Sequence, residues 1–61
     1  MNRVLNILTA EQYKLKILRN TYTTLFDSLD NDEQRIVYRN KINDLDKDIK
    51  EFDKLIALVN N

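Results

Sequence analysis

The segment FDSLDNDEQRIVY, residues 26–38, lies near the midpoint of a 61-residue chain and contains its clearest change of direction. Within it, the run LDNDEQ combines the signals that stop one helix and start another. Asp30 predicts an N-cap whose carboxylate accepts the orphan amides of the next turn, with Glu33 three residues on reaching back as a capping box. Asp32 and Glu33 suit the positive end of a helix. Asn31 or Asp30 tolerates the left-handed conformation that often ends a helix, a role more usually given to glycine. A turn at about residues 29–32 then sets two helices antiparallel.

Outward from the turn, the apolar residues keep helical time. Val4, Leu8, Glu11, Leu15, Leu18, Tyr22, Leu25 and Leu29 follow at alternating steps of four and three, the spacing of a coiled-coil seam. Arg35, Tyr38, Ile42, Leu45, Ile49, Phe52, Ile56 and Val59 repeat the alternation on the other side. The spacing predicts a first helix over about 2–29 and a second over about 32–59. A second cap signal, Thr9 with Gln12, allows the first helix to begin at residue 10 and leave residues 1–8 as a separate arm. Near-equal helix lengths favour continuity; Glu11 in a seam slot favours the break.

Leu5, Ile7 and Phe26 flank the first seam and Leu55 the second, which widens each stripe to that of a bundle helix. Ile36 and Val37 fall beside the second seam near Phe26 and extend the core at the turn. A lone hairpin covers about half of such a stripe. The expected fold is therefore all-α, one domain over 1–61: an antiparallel helical hairpin that dimerises into a four-helix bundle. Its core and dimer contacts are expected from Leu8, Leu15, Leu18, Tyr22, Leu25, Ile42, Leu45, Ile49, Phe52 and Ile56. Asp46 with Lys50 and Lys47 with Glu51, four apart, suit an exposed outer face on the second helix.

Composition narrows the chemistry. Glycine, proline, cysteine and histidine are all absent, which removes phosphate-cradling loops, disulfides, thiolate chemistry and ordinary zinc ligation. Ten basic and ten acidic residues cancel, so no bulk field draws nucleic acid or an anionic membrane. The longest apolar run, IALV, is far short of a membrane span, and MNRVLNIL is short for a secretory signal. A cytoplasmic location is the expectation. DLDKD, residues 44–48, alternates acids as a calcium loop does, but lacks the glycine and places Leu45 in the seam; no metal or cofactor is expected. Asp44, Asp48, Glu51 and Asp53 could imitate phosphates, yet Lys47, Lys50 and Lys54 interrupt them. Ser28 has no histidine or cysteine to activate it and reads as a helix-end residue. No enzyme is expected.

The hairpin layout, with Leu29, Asp30, Asp32, Glu33 and Gln34 around its turn, resembles the Rop family of plasmid copy-control proteins. That resemblance implies a dimeric four-helix bundle that binds paired RNA stem-loops along the outer face of the first helix. An ungapped match puts Arg3, Ala10, Lys14, Leu18 and Leu25 at the RNA-contacting positions, and Arg3 keeps the family's chemistry there.

Tyr13 and Ile17, one turn apart, lie opposite the first seam, with Ala10, Lys14 and Arg3 beside them. Either they contact a partner, or a bent or late-starting helix buries them, or they are single exposed apolar residues of the kind any surface carries. The leading functional expectation is a small non-enzymatic regulator or inhibitor that binds a protein partner through Arg3, Ala10, Tyr13, Lys14 and Ile17. The alternatives are a Rop-like RNA- or DNA-binding modulator acting through Arg3, Lys14 and Arg19, and a purely structural oligomerisation module. Usage rich in Asn, Asp, Ile and Lys matches an AT-rich genome, and so small a chain suits a phage or plasmid.

Overall fold

The computed structural model describes residues 2–60, which form two helices, α1 (Arg3–Ser28) and α2 (Asp32–Asn60), folded into a hairpin. Asn2 caps α1: its side-chain oxygen accepts the Leu5 N–H at 3.1 Å, and its carbonyl accepts the Asn6 N–H at 3.2 Å. The helix runs unbroken through Thr9, whose hydroxyl donates to the Leu5 carbonyl at 2.8 Å rather than capping a new start. Thr21, Thr23 and Thr24 likewise donate to carbonyls four residues back, so these hydroxyls are satisfied within the helix.

The turn differs in detail from the sequence expectation. Leu29 leaves α1 in an extended conformation (φ −84°, ψ 134°), and no described residue has a positive φ. The left-handed cap expected at Asn31 or Asp30 is therefore not used. Instead the carbonyls at the end of α1 are met by other donors. The Leu29 N–H donates to Phe26 O at 3.2 Å, the Ser28 hydroxyl to Leu25 O at 2.7 Å, and the Arg35 guanidinium to Leu29 O at 3.1 Å. Asn31, not Asp30, caps α2, its side-chain oxygen accepting the Gln34 N–H and its carbonyl the Arg35 N–H, both at 3.0 Å. Leu29, half-buried and extended, takes the first turn position, and the cap of α2 falls two residues after it.

Along α2 the inward residues are those of the expected seam, Arg35 to Val59. In α1 every second seam position is rotated by one residue. Leu8, Leu15, Tyr22 and Leu29 face inward as expected, but Leu5, Gln12, Arg19 and Phe26 stand where Val4, Glu11, Leu18 and Leu25 were expected. Leu18 and Leu25 are 41% and 42% exposed within the hairpin. Among the described residues Leu45, at 9% exposure, is the one buried apolar side chain. The hairpin measures 47 × 15 × 10 Å between Cα atoms, two helices side by side with a seam but no enclosed core.

Candidate functional site

With the seam placed, each helix takes heptad letters: position a is Leu5, Gln12, Arg19 and Phe26 in α1 and Arg35, Ile42, Ile49 and Ile56 in α2. Position d is then Leu8, Leu15, Tyr22 and Leu29 in α1, and Tyr38, Leu45, Phe52 and Val59 in α2. Around a helix, position e lies beside a, and position g beside d. An antiparallel pair therefore has one edge where e meets e and another where g meets g.

The e edge is a polar ladder. Gln12, 6% exposed, donates from its amide to Ile49 O at 3.0 Å and to an Asp53 carboxylate oxygen at 2.6 Å. Arg19 is paired with Asp46, its guanidinium donating to the carboxylate. One heptad further, the Phe26 ring is covered by Arg39 at 5.4 Å and by Arg35 at 4.3 Å. Gln12, Arg19 and Phe26 are spaced by seven, as are Asp53, Asp46 and Arg39 in the opposite order, the pattern of two antiparallel helices in fixed register. The hydrogen bond to Asp46, and secondarily its charge, raise the pKa of Arg19 above its ordinary value. A raised value means that this favourable interaction is present below the unfolded pKa and is lost only in strong alkali. Asp46 is thus engaged across the hairpin and does not form the expected pair with Lys50. Lys47 and Glu51 are not paired either: Glu51 meets Lys54 at 3.3 Å.

The other edge, at position g, carries Val4, Glu11, Leu18 and Leu25 on α1 against Gln34, Lys41, Asp48 and Leu55 on α2. Lys41 sits 5.9 Å from the Tyr22 ring, and Tyr22 meets Tyr38 edge-on at 5.6 Å, which places these d and g positions on a common side. Val4, Leu18, Leu25 and Leu55 are all exposed here.

The outer face of α1 holds the residues expected to bind a partner. Arg3, Ala10 and Ile17 fall at position f, farthest from the seam, with Tyr13 and Lys14 on either side; all five are exposed. Tyr13 is 64% exposed and Ile17 49%. Lys14 is held by Glu11 at 3.1 Å. The helix is continuous from Arg3, so no late start buries Tyr13 and Ile17, and both are exposed within the hairpin.

No cavity and no cluster of acidic side chains suited to a metal ion is found among the described residues. No described helix is long and apolar enough to cross a membrane. Sequence reasoning missed the seam places of Gln12, read as the capping-box partner of Thr9, and of Arg19, read as a base open to nucleic acid. The signal that could have found them is the matching interval of seven between Asp46 and Asp53. Comparison with protein-family models, with curated proteins and with solved structures finds no match to this chain.

Proposed function

We propose that this chain is a small protein-binding regulator without chemistry of its own, paired as a homodimeric four-helix bundle and engaging its partner through the outer face of α1. One observation carries the reading: among the described residues ten large apolar side chains are exposed against a single buried one, Leu45. A chain of this size with so thin a core needs a further source of stability, and self-association can supply it without cysteine or histidine. Packing against a second hairpin would use the apolar residues next to the seam. The outer face of α1 would still offer Tyr13 and Ile17 beside Lys14 and Arg3, a ring and an aliphatic group near positive charge, the composition of an interface anchor.

A Rop-like nucleic-acid role is the weaker alternative. Lys14 and Arg19, two of the three bases it would rest on, are each held in an ion pair, with Glu11 and Asp46. The test is parallel affinity capture with the wild type and with Tyr13→Ala/Ile17→Ser. A protein captured in stoichiometric amount by the wild type should be lost from the variant, with helicity and dimer mass unchanged. Equal capture by both would move the site off this face, and salt-sensitive capture of RNA would favour the alternative.

A further inference from the structure

We propose that the second copy docks on the g edge in one orientation, reversed by a two-fold axis that crosses the middle of the hairpin, so that α1 lies along the partner's α1 and α2 along the partner's α2. The inference rests on the self-association proposed above and adds its surface and geometry. Among the described residues, three exposed large apolar side chains, Tyr13, Ile17 and Ile36, lie at outer or e-side positions. The other seven, between 41% and 73% exposed, lie at g or at the adjacent position c. At the open end of the hairpin, Val4 and Ile7 of α1 stand alongside Leu55 and Leu58 of α2; at the turn end, Leu25 stands with Val37. Apolar groups at a, d and g are the pattern of a bundle helix rather than of a two-stranded coil.

The apolar ends and charged middle of this edge select the orientation. The midpoint between Val4 and Leu25 falls at Lys14 and Leu15 in α1, and that between Lys41 and Asp48 at Asp44 and Leu45 in α2. The two midpoints face each other to within about one turn, given Tyr22 against Tyr38 and Phe26 against Arg35. The crossing two-fold therefore brings Val4 to the partner's Leu25, and Lys41 to the partner's Asp48, each contact made twice. Glu11, held to Lys14 at 3.1 Å, is drawn toward the rim. A two-fold along the hairpin would instead put α1 on the partner's α2, setting Glu11 against the partner's Asp48 and Leu18 against the partner's Lys41. Like charges would then meet twice. The face is also large enough: 47 × 15 Å between Cα atoms gives on the order of 700 Å² per chain before side chains widen it, close to the ~800 Å² per partner of stable interfaces.

The absence of cysteine makes cross-linking a clean test. In Val4→Cys/Leu25→Cys the two thiols are about 31 Å apart along one helix at 1.5 Å per residue, so they cannot bridge within a chain. Oxidation at micromolar concentration should give a covalent species of twice the chain mass and nothing larger. Without cysteines, Lys41→Glu should weaken the dimer about tenfold, and adding Asp48→Lys should restore it to within about threefold. A dimeric wild type whose cysteine variant stays uncross-linked or forms a ladder, or whose charge exchange restores nothing, overturns the docking geometry and leaves self-association standing. A wild type that stays monomeric up to millimolar concentration overturns both.

Discussion

Asn31 starts α2 with a side chain short enough to turn back onto the Gln34 amide at 3.0 Å. Asp30, one residue earlier, carries a stronger acceptor but is not the residue that meets that amide. Asn31→Ala is expected to lower stability by about 1 kcal/mol, the usual cost of losing an N-cap, whereas Asp30→Ala should change it by no more than a few tenths. Urea unfolding followed by circular dichroism separates the two, and a larger loss at Asp30 would contradict the cap assignment. The turn itself was legible because capping residues cluster there. Which of two adjacent caps is used was not, because Asp30 and Asn31 both satisfy the local capping rule and the path of the turn after Leu29 selects between them.

At the scale of the helix pair, α2 is amphipathic along its length, whereas α1 sets amide and guanidinium groups into its own seam. Gln12 and Arg19 do so because Asp53 and Asp46 are waiting on the e edge, and a buried polar group without such a partner would be costly. These contacts also oppose register slips, since sliding one helix by a turn would separate both polar pairs at once. Leu45 is the most buried apolar side chain among the described residues. Replacing it by alanine should cost about 2–5 kcal/mol, comparable to the whole stability of so small a fold. Leu45→Ala should therefore lose its cooperative thermal transition in circular dichroism; a loss below a few tenths would mean that the seam of α2 has been misplaced.

At the scale of the whole molecule, the hairpin is a layer one helix thick, with an open apolar edge on one side and a satisfied polar ladder on the other. Such a layer gains stability by pairing, and pairing ties its stability to concentration. The thermal midpoint is expected to rise by several degrees between about 5 and 500 µM, and Leu18→Ala should flatten that dependence. A midpoint independent of concentration, with the chain monomeric by light scattering, would remove the dimer and with it the use proposed for Leu18 and Leu25. Pairing would leave Tyr13 and Ile17 on the outside, where a partner could reach them.

The helical hairpin was readable from the chain because its causes are local: steps of three and four, no glycine or proline over 61 residues, and capping residues at one point near the middle. The α2 seam and the exposed placement of Arg3, Ala10, Tyr13, Lys14 and Ile17 follow from the same period. Tertiary structure decided the rotation of α1. A pattern of apolar residues favours Leu18 and Leu25 for the seam, and no local rule can weigh that against Arg19 meeting Asp46 across 27 residues or Gln12 meeting Asp53 across 41. Those long-range polar contacts, with Phe26 drawn under Arg35 and Arg39, turned the helix and left Leu18 and Leu25 facing outward.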